Sequence, residues 1–332
     1  MLDLHVHLRG TMLPLKIEKL AARNGVRVPP DTLRARGYGW SDFTCFLKAY
    51  DLLTSVIVTA RDLEEVAYDY LRSSASTGAT YVEFMLSPPD LLRTGVPFED
   101  QLSAISAARD QALELHGIDC RMIATAVRHL GPAPALNAAR IAVARRNEIL
   151  VGFGLTGDER KFAVSEFAEA FRIARSEGLL ATAHAGEHLG AETVVEAIDK
   201  LGLTRVGHGV RAAESEAVLR QLADNRIPLE VCLSSNLSLG LYKNLADHPI
   251  RRLREAGCRI VLGTDDPPFF ETGIAGEYSK ATEALRLHEA GRAITDDAID
   301  AAFCDDATKA RLRCVHARDK SPYACPDDPL IR

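Results

Sequence analysis

The chain begins Met1-Leu-Asp-Leu-His-Val-His-Leu8, which places two histidines one residue apart in a strand-like run. In an extended strand, successive side chains alternate between two faces, so His5 and His7 point to the same side. Leu4 and Val6 then point to the opposite side, where they are expected to pack. Two imidazole nitrogens at one point suit a divalent metal ion, although a His-x-His pair also occurs in hydrogen-bonded cores. This stretch therefore predicts a buried first strand that carries part of a metal site.

The bulk composition is that of a soluble globular protein. The chain has 332 residues, of which 47% are hydrophobic and 26% are charged. Its net charge of −6 gives no indication of affinity for nucleic acid or an anionic membrane. No apolar run reaches the length of a membrane span, and the start is too polar for a secretory signal. Seven scattered cysteines without a Cys-x-x-Cys pair argue against disulfides and a thiolate zinc site, so we expect a cytoplasmic protein.

Short apolar runs alternate with amphipathic stretches, for example at 62–76, 100–115 and 164–177, which are predicted helices. This alternation is typical of a parallel sheet covered by helices on both faces. Eight runs in this length favour a (β/α)8 TIM barrel, and no Gly-x-Gly-x-x-Gly follows the first run. We expect one barrel domain over 1–316 and a loosely held C-terminal tail over 317–332. The predicted strands are 2–8, 79–86, 120–127, 150–156, 179–184, 203–207, 228–233 and 259–264.

Residues 12–60 form a long insertion after the first predicted strand. Phe43, Phe46 and Leu47 have the i, i+3, i+4 spacing of one helix face, which usually indicates core packing. However, an insertion at the carboxyl end of a barrel strand lies over the mouth of the active site. The same apolar residues therefore also suit a helical lid.

Polar groups end three of the later predicted strands. The fifth ends in His184-Ala-Gly-Glu187, the sixth in Gly207-His208-Gly209 and the eighth in Thr264-Asp265-Asp266-Pro267. Each alone has a structural explanation, such as a hydrogen-bonded core histidine or a helix cap. Together with His5 and His7 they would converge at the carboxyl ends of the strands, where barrel enzymes hold their chemistry. Because burying so many polar groups is costly, the sequence predicts a metal-dependent active site.

In their order and spacing, these motifs resemble the adenosine deaminase family. The resemblance runs from the first strand to about residue 312, with further matches at 81–88, at Arg128-His129 and at Thr156-Gly157-Asp158-Glu159. It implies a zinc-bearing (β/α)8 barrel that hydrolytically replaces the 6-amino group of an adenine ring with oxygen and releases ammonia.

The resemblance also implies roles for individual residues. Glu187 would protonate ring nitrogen N1 as water attacks C6, and His208 would orient that water or accept its proton. Asp266 would hydrogen-bond N7, and the backbone N–H of Gly157 would serve N3. A supporting contact for His208 and a turn for Gly157 remain the alternatives. One Zn²⁺ per chain would be held by His5, His7, His184 and Asp265.

Arg9 is the main departure from the family pattern. Adenosine-acting members carry aspartate at this position, where it accepts a hydrogen bond from the 5′-hydroxyl, and adenine-acting members tend to carry glutamate. A permanent cation with donors only suits a carboxylate or phosphate instead. The resemblance thus favours 6-amino-6-deoxyfutalosine, a menaquinone-pathway nucleoside with an anionic 5′ extension, whose aromatic part Phe43, Phe46 and Leu47 would cover. A local salt bridge of Arg9 is the alternative, and Met85 replaces a family arginine without a consequence that the sequence indicates.

Several other functions stay open at this point. Adenosine or 2′-deoxyadenosine deamination is the main alternative, followed by deamination of adenine or AMP. Other metal hydrolases on this barrel commonly add a bridging lysine from the fourth strand, but 150–156 contains none, which favours a mononuclear site. A non-enzymatic binding protein is disfavoured by the intact set of ligands and acid. The expected partner is a small adenine nucleoside, with no nucleic acid and no membrane.

Overall fold

The chain folds into a nearly closed barrel of eight parallel strands with helices between them, which confirms the predicted (β/α)8 architecture. Each strand pairs with the next one along the chain. The computed structural model describes residues 1–29, 32, 33, 37–89, 94–286 and 290–318, so residues 319–332 of the predicted tail lie outside it. The strands are β1 (Leu2–His7), β2 (Tyr81–Leu86), β3 (Asp119–Val127), β4 (Leu150–Thr156), β5 (Leu180–Ala185), β6 (Val206–His208), β7 (Leu229–Val231) and β8 (Ile260–Leu262).

Two of the predicted helices, 62–76 and 100–115, are confirmed to within two residues at each end, whereas 164–177 begins with a 3-10 helix over Val164–Phe167 and becomes α-helical only at Ala168. Thr59 and Asp62 form a capping box at the start of the third helix, and Gly178, Gly202 and Gly257 have the positive φ expected of C-cap glycines. No helix of the described residues is long and apolar enough to cross a membrane. The helices are α1 (Pro14–Asn24), α2 (Phe43–Thr54), α3 (Ala60–Ser76), α4 (Phe98–His116), α5 (Pro132–Ala144), α6 (Ala168–Ser176), α7 (Ala191–Leu201), α8 (Glu216–Asp224), α9 (Leu233–Ser238), α10 (Ile250–Glu255), α11 (Ile274–Leu285), α12 (Ala290–Ala301) and α13 (Asp306–Arg318).

A buried cation lies among the side chains inside the barrel. Arg205 is 1% exposed, and its Nη2 lies 2.7 Å from Glu83 Oε2 while its Nε lies 2.6 Å from Glu230 Oε1. Its guanidinium carbon also lies 3.6 Å from the centre of the Phe303 ring. Met85, where the family resemblance leads us to expect arginine, packs against Phe303 in an apolar cluster. Charges at this depth persist because each one has a partner.

The insertion after β1 covers the carboxyl ends of the strands. Its helix α2 buries Phe46, whose ring lies 5.4 Å from Phe269 and 5.3 Å from Phe270, both in the segment after β8. Phe43 and Leu47 are partly exposed and line the cleft above the barrel. The α2 face is therefore both a packing surface and a cover. Residues 30, 31 and 34–36 of the insertion lie outside the described part of the chain.

Backbone hydrogen bonds close the barrel between the last strand and the first. Beyond β8 the chain continues to Asp265, whose N–H donates to the His5 carbonyl at 2.8 Å and whose carbonyl accepts from the His7 N–H at 2.9 Å. Gly263 packs directly on β1, because a Cβ there would lie 2.4 Å from the Cβ of His5. The closure therefore requires the absence of a side chain at residue 263.

Gly263→Ala tests this closure. We expect the substitution to lower the free energy of unfolding by about 1–3 kcal/mol, the usual cost of overpacking a well-packed site. Urea unfolding of the two proteins measures the difference. Gly273→Ala is the matched control, because a Cβ there meets nothing within 4 Å and its φ of −161° suits any residue. Equal losses in both variants would contradict the proposed crowding against β1.

Candidate active site

The predicted site residues meet at the carboxyl end of the barrel. His5 and His7 come from β1, His184 from β5 and His208 from β6, and Asp265 follows β8. The ring centres of His5 and His184 lie 4.8 Å apart, and His208 lies 4.6 Å from His184. Residues that are far apart in the sequence thus form one compact cluster.

The cluster fits a metal ion. The ligand atoms of His5, His7 and His184 all lie within 4.8 Å of one another, and His7 Nε2 lies 3.2 Å from Asp265 Oδ1. The Nε2 atoms of His5 and His184 are buried, and neither has a hydrogen-bond partner within the described residues. Buried polar atoms are normally paired, so nitrogens left open at one point are what a metal site requires. Burial, with the neighbouring His208, keeps the pKa of His184 well below its usual value and the ring neutral.

Glu230 orients the His5 ring through a hydrogen bond to its Nδ1 atom. Its Oε2 accepts a hydrogen bond from His5 Nδ1 at 2.6 Å, while its Oε1 accepts from Arg205 Nε at 2.6 Å and from the Thr182 hydroxyl at 2.8 Å. Although burial opposes ionisation, the charge of Arg205 and the bond from His5 lower the pKa of Glu230 to about 2. A carboxylate on Nδ1 fixes the tautomer that leaves Nε2 for a metal. The sequence analysis missed Glu230, whose signal is a lone charge within the apolar run 228–233.

The pKa values of Glu187 and His208 are shifted in opposite directions. Burial, reinforced by the charge of Asp265, raises the pKa of Glu187 well above its usual range, which favours the protonated form of this carboxyl. Burial, with the nearby His5, lowers the pKa of His208 to about 3, so this ring is a neutral acceptor. Glu187 Oε2 lies 3.7 Å from His208 Nε2. An acid and a base side by side suit a reaction that both adds and removes protons.

Two site residues adopt a strained backbone. The φ of His208 is +59° and that of Asp265 is +61°, in the left-handed region that residues other than glycine rarely adopt. Such conformations persist where surrounding contacts determine them, and they cluster at functional sites. Both residues lie at or shortly after the end of a strand, and both side chains belong to the cluster.

Asp266 is a buried carboxyl that faces the cleft. Its Oδ1 has no hydrogen-bond partner among the described residues, and burial, with the charge of Asp265, raises its pKa well above the usual value. Gly10 makes room for it, because a Cβ at residue 10 would lie 1.7 Å from Asp266 Oδ1. The sequence analysis did not identify Gly10, which leaves space for the Asp266 side chain. A neutral carboxyl in this position is a hydrogen-bond donor to a ligand.

The cleft above the cluster is open to solvent and has an empty volume of about 880 Å³. Gly157 and Met85 line it, and the φ of Gly157 is +89°, with a hypothetical Cβ 2.8 Å from His129 Nδ1. A turn that requires glycine and a contact with a ligand are therefore compatible at residue 157. The cleft wall also includes the predicted substrate residues Arg9, Phe43, Phe46, Leu47 and Asp266.

Arg9 is held by the lid helix. Its side chain is 4% exposed, and its Nη2 donates to the Thr54 hydroxyl at 2.6 Å. The guanidinium carbon lies 5.8 Å from the centre of the Tyr50 ring, and Asp51 lines the same cleft. Arg9 therefore both borders the ligand space and connects the end of β1 to α2.

Known proteins with similar sequences and structures include deaminases. The profile of the family described as adenosine deaminase matches residues 1–315. The chain belongs to this family. Adenine deaminase from Chelativorans sp. (strain BNC1) is 42% identical over 311 residues, covering 93% of this chain and 95% of the relative. Adenine deaminase from Rhizobium meliloti (strain 1021) is 39% identical over 314 residues, covering 93% and 96%.

Two solved structures extend the comparison. A crystal structure of adenine deaminase from Arthrobacter aurescens superposes with a TM-score of 0.89 at 29% identity, covering 96% of this chain and 98% of that one. An amidohydrolase from Burkholderia ambifaria with bound zinc has a TM-score of 0.86 at 26% identity, covering 96% and 89%. The chain is accordingly a hydrolytic deaminase of adenine-type substrates, and its family supports a metal cofactor.

Two further residues of this deaminase border the site. His188, for which no role was predicted, has its Nε2 3.7 Å from Glu187 Oε1 and its ring 4.4 Å from that of Phe43. Arg160 lies over the Phe43 ring at 5.3 Å and pairs with Asp158 at 2.8 Å. Both residues connect strand-end loops to the lid. The only sequence signal was their position beside the motifs 156–159 and 184–187.

Glu230→Gln tests the support for the metal site. One of the two oxygens becomes an amide group that cannot accept a hydrogen bond, so we expect zinc affinity to fall by about 10- to 100-fold, the usual cost of losing such a partner. Competition with a chromogenic chelator measures the affinity. Glu83→Gln is the matched control, since Glu83 pairs with the other side of Arg205 but contacts no metal-site histidine in the described structure. An equal loss in both variants would assign the effect to Arg205.

Proposed function

We propose that this chain deaminates adenine hydrolytically, giving hypoxanthine and ammonia. The observation that carries the proposal is the buried Glu187 carboxyl, which lies in the cleft beside four candidate metal ligands. The relatives named adenine deaminase, which align over nearly their whole length, support adenine over the nucleosides that the sequence favoured. Adenine is the smallest substrate of the class. It has no ribose, so its binding requires no side chain that hydrogen-bonds a sugar hydroxyl.

One Zn²⁺ ion completes the proposed site. When bound, it would act as a Lewis acid that makes water nucleophilic at neutral pH. The buried, unpaired Nε2 atoms of His5 and His184 support this assignment. The proposed ligands are His5, His7, His184 and Asp265.

The proposed proton transfers involve two side chains. Glu187 donates its proton to ring nitrogen N1 while a water oxygen forms its bond to C6, so negative charge does not build up on the ring. His208 is neutral and accepts a hydrogen bond or the proton from that water. The proton released by the water then passes to the amino nitrogen, the C6–N bond breaks, and ammonia leaves, while the remaining hydroxyl proton at C6 returns to Glu187.

The adenine ring needs two further contacts to be held in register. We assign the neutral Asp266 carboxyl as donor to N7, which its raised pKa supports. The backbone N–H of Gly157, at the end of β4, would serve N3. Phe43 and Leu47 on α2 would cover the ring from the solvent side.

A second candidate substrate is an adenine nucleoside with an anionic 5′ substituent, such as 6-amino-6-deoxyfutalosine. The specific observation in its favour is Arg9, a buried cation in the cleft wall. Its bond to Thr54 and its position over Tyr50 equally fit a structural role between β1 and α2. Adenine is therefore the primary proposal.

Comparison of substrates tests the proposal directly. We expect kcat/KM to be highest for adenine among adenine, adenosine, AMP and 6-amino-6-deoxyfutalosine, with ammonia release as the measurement. Removal of zinc with a chelator should abolish turnover, and added Zn²⁺ should restore it. A clear preference for 6-amino-6-deoxyfutalosine would favour the second candidate, and a preference for adenosine would contradict both.

Arg9→Met separates the two candidates. If the cation binds an anionic 5′ group, its loss should lower kcat/KM for 6-amino-6-deoxyfutalosine by about 10- to 100-fold, the value of a hydrogen bond to a charge. We expect instead a uniform change across substrates, because the proposed role of Arg9 is to hold α2. Lys48→Met is the control, since Lys48 is an exposed cation on the same helix. A selective loss for the anionic nucleoside would disprove the structural role.

A further inference from the structure

Glu159 is a buried carboxylate that binds the backbone of another loop. It follows β4 in the motif Thr156-Gly157-Asp158-Glu159 and is fully buried. The N–H groups of four consecutive residues donate to it: residue 186 to Oε1 at 2.6 Å, and residues 187, 188 and 189 to Oε2 at 3.1, 2.7 and 3.0 Å. The Thr193 hydroxyl at the start of α7 lies 3.0 Å from Oε1 and 2.8 Å from the Gly190 carbonyl oxygen, so its one proton has both as acceptors.

This loop is the one that carries Glu187. It turns sharply after β5, with Gly186 at a φ of +66° and too close to Val194 for a side chain, since a Cβ would lie 2.4 Å from Val194 Cγ2. The N–H groups of this loop precede α7. Within the described residues, no carbonyl of a regular helix or sheet therefore accepts hydrogen bonds from them. The two oxygens of this one carboxyl group supply acceptors for all four N–H groups.

No side chain among the described residues forms a hydrogen bond with the Glu187 carboxyl. Its carboxyl oxygens lie 3.7 Å from His208 Nε2, 3.7 Å from His188 Nε2 and 4.0 Å from His184 Nδ1, all beyond hydrogen-bond distance. The direction of this side chain therefore depends on the backbone from which it projects. That backbone is fixed by Glu159.

We infer that Glu159 is a positioning residue that aims the Glu187 carboxyl at the ligand space. The inference rests on the proposed function, in which Glu187 is the proton donor. Glu159 itself touches neither the ligand space nor the candidate metal ligands, because its oxygens are taken up by the loop and Thr193. Its effect on the reaction passes through the geometry of one carboxyl group.

Glu159→Gln is the sharpest test because it keeps the size of the side chain. One oxygen becomes an NH2 group, which would face either the donors at residue 186 and Thr193 or those at residues 187–189. We expect kcat for adenine to fall by about 100-fold, within the usual range for a general acid, while KM and bound zinc stay close to wild type. A purely structural role would instead lower zinc content and raise KM together.

Hydrogen exchange provides a readout that does not depend on activity. Mass spectrometry of metal-free protein should show faster amide exchange for residues 186–189 in Glu159→Gln than in wild type. Glu277→Gln is the matched control: Glu277 is also a buried carboxylate that accepts a backbone N–H, from Ser234 at 3.3 Å, but it lies on α11 outside the cleft lining. It should leave both kcat and exchange at 186–189 unchanged.

The outcomes separate the inference from the proposed function. Wild-type kcat and exchange in Glu159→Gln would overturn the inference, as would equal effects in Glu277→Gln. If the wild-type enzyme did not deaminate adenine, the proposed function would be overturned. The exchange experiment would still test whether Glu159 stabilises the backbone of residues 186–189. If Glu159→Gln does not fold, Thr193→Val removes one donor to the carboxylate. This variant should lower kcat with KM unchanged, and wild-type kcat there would overturn the inference.

Discussion

The backbone pairing of Asp265 with β1 is the interaction on which the site depends. The same two hydrogen bonds close the barrel and set Asp265 between His5 and His7, because they join it to the carbonyl of one and the N–H of the other. Three candidate ligands are therefore aligned by strand register rather than by side-chain packing. The strained φ of Asp265 and the missing side chain at Gly263 follow from this closure, since each lets the chain approach β1 and turn a carboxylate inward.

The interior charges extend that alignment into the barrel. Glu83, Arg205 and Glu230 form a row of two carboxylates around one guanidinium, and the row ends on Nδ1 of His5. Replacing a buried ion pair with apolar side chains is often neutral or stabilising, so stability alone does not account for this row. Orientation of a candidate metal ligand does account for it, because only the Glu230 carboxylate at the end of the row contacts the imidazole. The cost of burying the other two charges is offset by their mutual pairing.

The sequence predicted what local patterns determine. Period-two alternation placed His5 and His7 on one face of β1, and the apolar runs located every strand, although β6, β7 and β8 are shorter than the runs that predicted them. The resemblance supplied the remaining candidate ligands. Glu230 and Glu159 were missed because their partners lie on strands and loops far along the chain. The left-handed φ of His208 was equally hidden, because residues other than glycine rarely adopt it.

The groups proposed for catalysis and the cover of the cleft come from different parts of this molecule. The groups proposed for catalysis lie on or next to strand ends, where the barrel fixes the backbone and neighbouring carboxylates fix the side chains. The cover of the cleft instead comes from α2, which meets the barrel through Arg9 and through aromatic contacts such as Phe46 with Phe269. A substitution at residue 9 therefore alters the contact between β1 and α2 as well as the charge of the cleft. For this reason an unusual residue beside an intact set of ligands is weak evidence for an unusual substrate, and the whole α2 face must be considered with it.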